Sequence, residues 1–273
     1  MKNKKTLIII AIILVIVGAI TAVVIARRAN NQEEPVEEAP ERKRISEPVN
    51  QIPVGQRAYV SILPKADGNH LSISINYLNK QAESAEYELE YQAGSMLQGG
   101  IGQIDLETLP AREEIFLGTC SAGGACTYHK DISGGNLLLK FIGEENYALK
   151  TNWRYIDNTT RSDEVASWDA KFQLQAAALA NIRYSVVFNS PGPASGVEEL
   201  AETDIEFISD LYALETSTAA TGEGEVSIRL AESADEARIV GYDGSDWVEF
   251  ETTVEDKVAT ATVDLMKLYA VIR

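Results

Sequence analysis

Residues 71–78 read "LSISINYL", and their hydrophobic period is two. Side chains of a strand point alternately to opposite faces. Leu71, Ile73, Ile75 and Tyr77 therefore share one face, and Ser72, Ser74 and Asn76 the other. Further on, "EYELEY" sets Tyr87, Leu89 and Tyr91 opposite Glu86, Glu88 and Glu90. Both segments predict antiparallel strands with one face on a core and the other in water. The same reading gives strands over 57–63, 113–120, 126–131, 136–142, 147–155, 168–175 and 182–189. Towards the end it gives 225–230, 237–242, 247–252, 257–264 and 267–272. Turn residues separate them: Asp67-Gly68, Gly134-Gly135, the run from Asp243 to Asp246, and Glu255-Asp256.

No amphipathic helix accompanies these strands, although "VEELAETDIEF" at 197–207 has the composition of a short helical turn. The expected fold is mainly β, built as tandem antiparallel sandwiches of immunoglobulin or fibronectin type. The polar, strand-poor "NTTRSDEVA" at 158–166 is the natural break. It gives one module over 56–160 and a second over 161–273, with a further submodule from about 220 left open.

The first 55 residues are of another kind. Thr6 to Ala26 is a run of 21 residues without a charge, bounded by Lys4 and Lys5 before it and Arg27 and Arg28 after it. At about 1.5 Å per residue it spans about 31 Å, the thickness of a hydrocarbon core. A cleaved signal would carry a shorter apolar region ending in small residues, so the run reads as an uncleaved transmembrane anchor behind a stub at 1–5. Basic flanking residues are nearly balanced across it. The five-residue stub and the paired cysteines of the β-rich part point the C-terminal side out of the cytoplasm. Residues 27–55 hold four of the eight prolines with clustered Glu, the composition of an extended linker. The 27 residues from Ala29 to Gly55 would reach about 84 Å as polyproline II.

Five of the 24 basic residues, and no acid, lie in residues 1–28. The remainder carries 19 basic against 41 acidic residues, a net charge of −22. Nucleic acid is thereby excluded as a partner, because it requires a basic footprint.

The chemistry-bearing stretch is "GTCSAGGACTYH" at 118–129, with both cysteines of the chain and one of its two histidines. Ile115, Leu117 and Thr119 alternate up to Cys120, and a small-residue loop with Gly123-Gly124 leads to Cys126. The simplest reading is a disulfide across the neck of a hairpin, and closing so short a loop contributes about 2.4 kcal/mol in the chain-entropy account. Two free thiols are the alternative. A metal centre would need a fourth ligand beyond Cys120, Cys126 and His129, and no other Cys exists. "LGTC" resembles the L-x-T-C strand ending of sortases, which makes Cys120 a candidate nucleophile with His70 or His129 as partner. The arginine that such a site needs downstream is absent: after Arg112 the next is Arg154, and the following strand offers only Lys130.

Other catalytic signatures are missing. "QGGIGQ" at 98–103 lacks dinucleotide-binding spacing, and no phosphate loop or nucleophile elbow occurs. No catalytic residue, cofactor or metal site is expected. Calcium stays open through Asp243 and Asp246 in "YDGSDW", where a plain Asp-Gly turn is the simpler account. Tyr128, His129, Trp153 and Trp247 are the candidate partner contacts, with a core position the competing reading for each tryptophan.

Four segments, "PKADGNHLSISI", "AEYELEYQAG", "LGTCSAGGACTYHKDISGGNLLLKF" and "GYDGSDWVEFETTVEDKVATATVD", resemble uncharacterised, membrane-anchored, β-rich surface proteins of ultrasmall, host-associated candidate-phyla bacteria. In that group the cysteine pair flanks a small Gly-rich loop followed by Thr-Tyr-His, here Cys120, Cys126, Thr127, Tyr128 and His129. The resemblance implies an envelope-exposed protein and no known activity. The expected function is non-enzymatic: a single-pass cell-membrane protein presenting β-modules for envelope organisation or adhesion. Its partners would be the bilayer, through residues 6–26, and a protein or glycan outside. The alternatives are a sortase-like cysteine transpeptidase using Cys120 and an accessory subunit of a secretion or pilus machine.

Overall fold

The computed structural model describes residues 48–200, 205–234 and 236–273. The expected membrane anchor at 6–26 and the linker as far as residue 47 lie outside the described residues. Among the described residues, no helix is long and apolar enough to cross a membrane.

The fold is mainly β, in several antiparallel sheets. In chain order the first strands are β1 (Tyr59–Pro64), β2 (His70–Tyr77), β3 (Ser84–Ala93), β4 (Met96–Asp105), β5 (Ala111–Phe116), β6 (Gly118–Cys120) and β7 (Cys126–Tyr128). Next come β8 (Ile132–Ile142), β9 (Tyr147–Asp157), β10 (Glu164–Ala166), β11 (Phe172–Gln175), β12 (Tyr184–Ser190) and β13 (Leu211–Thr216). The last are β14 (Glu223–Arg229), β15 (Arg238–Tyr242), β16 (Trp247–Phe250), β17 (Thr253–Glu255), β18 (Val258–Asp264) and β19 (Leu268–Ile272).

A nine-stranded sheet, ordered β16-β15-β19-β13-β12-β9-β8-β3-β4, forms the middle layer. The front layer is β1-β2-β5 and the back layer β10-β11-β14-β18-β17. In β3, β8 and β9 the expected alternation holds: Tyr87, Leu89 and Tyr91 are buried, and Glu86, Glu88 and Glu90 point away from the core. The strands β12, β13, β15 and β19 differ, because both of their faces are covered. Val186, Phe188, Ala213, Leu268 and Ala270 join the front core, while Val187, Tyr212, Leu214, Tyr269 and Val271 join the back core. The sequence reflects this in apolar runs with no period of two, "SVVF", "LYAL" and "LYAVI", which is how a strand buried on both sides reads. Phe172 of the back layer stacks on Tyr212 at 5.1 Å and tilts against Tyr269 at 5.5 Å.

Strands on either side of 158–166 therefore share one sheet. β9 pairs directly with β12 (Trp153 with Phe188, Tyr155 with Val186). Residues 158–166 are the place where the chain leaves the middle sheet for the back one. Asn158 fixes that turn: its amide donates to the carbonyls of Ser162 and Leu179, and its side-chain oxygen accepts from the Ser162 N–H. The strands of the two expected modules thus belong to a common layer.

Other boundaries also differ from expectation. Residues 49–55 of the expected linker already dock on the body, tied down by Arg57 at the start of the first expected module. Val49 bridges Ala148, the Asn50 amide donates to the Lys150 carbonyl, and Arg57 donates to the carbonyls of Asn50 and Ile52. The helical turn near 197 is a short 3-10 segment, Val197–Leu200. β4, β10, β13 and β17 were not foreseen, β10 falling inside the stretch expected to be strand-poor. β4 is Gly-rich and forms the free edge of the middle sheet, with Leu97 and Ile101 exposed.

A fragment ending at Thr160 would lose β12, β13, β15 and β19, and with them ten of the 35 described residues buried in the front core. It is expected to show no cooperative thermal transition and to bind a hydrophobic dye. A sharp calorimetric melt of that fragment would contradict the shared-sheet account.

Candidate functional site

The cysteine stretch folds as a two-stranded hairpin, β6 against β7, with Gly118 opposite Tyr128, Thr119 opposite Thr127 and Cys120 opposite Cys126. Backbone bonds flank the cysteine pair, from Ser121 N–H to the Ala125 carbonyl and from His129 N–H to the Leu117 carbonyl. The cysteines thus face one another at a non-hydrogen-bonded position, where opposite Cα atoms come closest. Their Cα atoms are 4.0 Å apart and their sulfurs are joined in a disulfide. Gly124, at φ +82°, supplies the left-handed turn of the tip. Cys120 therefore offers neither a free thiolate nor a metal ligand in this form.

Tyr128 and His129 point to opposite sides. Tyr128, half exposed, lies edge-on to Phe116 at 5.4 Å, and Phe116 in turn meets His70 at 5.4 Å. His129 accepts or donates at both ring nitrogens, to the Tyr91 hydroxyl at 2.9 Å and to Thr119 Oγ1 at 3.3 Å. It ties the hairpin to β3. Trp153, behind Tyr91 at 6.3 Å, is fully buried and presents no surface to a partner. Its indole N–H has no hydrogen-bond partner among the described residues, at a cost of about 1–3 kcal/mol. His70 bonds Asp67 through Nδ1 at 2.6 Å in the β1–β2 turn.

The structure adds a site that sequence reading missed, a cleft of about 530 Å3 over the serine-bearing face of the front sheet. Its floor is a row of cross-strand neighbours, Ser61 on β1, Ser74 on β2 and Arg112 on β5. The Asn76 amide donates to the Ser61 hydroxyl at 2.6 Å, and the Ser74 hydroxyl donates to the Asn76 side-chain oxygen at 2.8 Å. Facing them is Glu215 at the end of β13, only 9% exposed and hydrogen-bonded to Ser61. Lys267 and the Asp243–Gly244 turn close the wall. Trp247 braces it from outside: its indole N–H donates to the Ser195 carbonyl at 3.1 Å and its ring packs on Tyr242 at 5.4 Å.

Ser72, Ser74 and Asn76 are the face of "LSISINYL" expected in water, yet Ser72 and Ser74 are buried. Two signals pointed here without being read. A strand face of serine and asparagine, with no charge, suits a covered polar surface, and Glu215 interrupts an otherwise apolar run, "LYALE". Protein-family models, curated proteins and solved structures contain no match to this chain.

Burial is the main influence on the Glu215 carboxyl and pushes it above the ordinary carboxylate range, while Ser61, Lys267 and Arg112 pull it back. Burial likewise raises the Tyr59 phenol, and Glu215 adds to that rise. At the Asp243 turn the carboxylate is held low by the backbone N–H groups of Asp246 and Ser245, an Asp-Gly turn arrangement. Among the described residues, no group of three or more His, Cys, Asp and Glu side chains has the arrangement of a metal site.

Two outcomes follow from this geometry. Intact mass without reductant should be about 2 Da below the dithiol value, and Cys120→Ser with Cys126→Ser should cost about 2.4 kcal/mol or less, because the closed loop is short. Rapid alkylation of unreduced protein would refute the staple. For Glu215, a carboxyl with a higher pKa in the folded chain keeps its proton longer when folded, so stability falls as pH rises from the unfolded pKa towards the folded one. Glu215→Gln should therefore raise the Tm at neutral pH and lose that advantage near pH 4. A lower Tm for the variant at neutral pH would show that the ionised carboxylate is net stabilising.

Proposed function

We propose that this chain is a non-enzymatic cell-surface protein: a membrane anchor at residues 6–26, a linker and a β-rich body held outside the cytoplasm. Its three β-layers, joined through the shared middle sheet, serve as the scaffold. The body organises the envelope or binds an external protein or glycan. The observation that carries the reading is the exposed Cys120–Cys126 disulfide. A pair so accessible to reductant suits an oxidising compartment and takes both sulfurs of the chain out of thiol chemistry. The acidic surface supports it as well, since net negative charge keeps a body soluble at high local density and away from nucleic acid. The resemblance of the "LGTCSAGGACTYH" stretch to candidate-phyla surface proteins points the same way.

Linker residues Arg42, Lys43 and Arg44 make the test direct. Trypsin added to intact cells expressing the full chain should release the body with a new N-terminus in that run. Release only after the cells are broken open would place the body inside and overturn the proposal.

A further inference from the structure

We propose that the cleft between the front sheet and β13 binds a neutral saccharide unit. The inference rests on the reading of the body as a surface binding module, and it names the class of ligand.

Size comes first, because about 530 Å3 lies in the range of small-molecule sites and suits one or two sugar rings. The second argument is charge. The chain as a whole carries −17, yet the lining holds two cations, Arg112 and Lys267, against two anions, Glu215 and Asp243. A cleft with no excess of either sign, in a strongly acidic protein, provides no field to gather a charged ligand and no cost to a neutral one.

Hydrogen-bonding capacity is the third. Within the Ser74–Asn76–Ser61–Glu215 chain, Asn76 uses one amide N–H on Ser61 and accepts once from Ser74. That leaves it one N–H and one lone pair. Ser74 has spent its proton and keeps acceptor capacity, and a carboxylate offers about four acceptor positions, of which Ser61 accounts for one at Glu215. One donor, the spare Asn76 N–H, thus sits among several acceptors on groups already fixed by one another. A sugar hydroxyl donates and accepts at once, so a row of hydroxyls can donate to these acceptors and accept from that N–H, whereas an apolar ligand would leave the groups unpaired at a cost. Fourth, Tyr77 lines the same cleft and is 40% exposed, a ring placed where the C–H face of a pyranose could stack.

The test uses the full-length chain in a detergent without a sugar headgroup. Saturation-transfer NMR and titration calorimetry would be run with glucose, galactose, mannose, N-acetylglucosamine and their β-linked disaccharides, and with inorganic phosphate and an oligolysine as charged probes. Binding of at least one sugar is expected, weakened tenfold or more by Asn76→Ala and by Tyr77→Ala. Trp168→Ala, an exposed ring outside the cleft, should leave it unchanged. Melting curves would establish that each variant is folded. If none of the sugars binds, or if the sugar affinity survives both cleft variants, or if a charged probe binds there instead, the assignment is overturned. Trypsin accessibility on intact cells is read separately. A body exposed on cells that binds no sugar defeats the saccharide assignment alone, and a body protected from trypsin defeats the surface reading.

Discussion

The body depends on hiding both faces of β13 and β19 at once. Each residue of "LYAL" and "LYAVI" sends its side chain into one of two cores, and each buried Leu, Val or Ile among them contributes about 1.5–3 kcal/mol, each Ala less. A strand of this kind tolerates no wet side, so a front layer and a back layer are both required. Antiparallel sheets usually solve a simpler problem, with one face covered and the other solvated. Here the simpler solution survives only in the β3-β8-β9 half, where Glu86, Glu88 and Glu90 line the uncovered face.

The cleft is a by-product of the same constraint. Where β13 nears its end its side chains remain covered, but position 215 is a glutamate, and a buried carboxyl must find partners. It finds them on the front sheet, where β1 and β2 present serine and asparagine and β5 presents Arg112. The result is a polar chamber within a mainly apolar body. Its groups are held by each other, and its wall is stiffened by Trp247 and Tyr242.

Much of this was legible in residues 71–91, where alternation assigns strands directly, and in 118–129, where two cysteines and a glycine pair define a hairpin. Three things were not. β13 and β19 have no period, so only β19 was recognised as a strand, and a common middle layer could not be inferred from local pattern. β4 escaped because its glycines carry no alternating signal, although its pairing with β3 is regular along its whole length. The cleft escaped because periodicity separates apolar from polar faces but does not say whether a polar face is covered, which is decided by residues more than a hundred positions away in the chain. Trp153 and Trp247 illustrate the same limit: similar residues by composition, one sealed in the core and the other a brace beside the cleft.

The shared middle sheet also bears on how such a protein can change over generations. Bead-on-a-string surface proteins diversify by duplicating or exchanging whole beads, because each bead carries its own core. In this body a crossover at 158–166 would split a sheet between two parents, and strands buried on both sides would meet unfamiliar layers. Its inheritance is therefore that of a single block, and novelty is confined to what can be altered without disturbing the layers: the hairpin tip and the cleft lining.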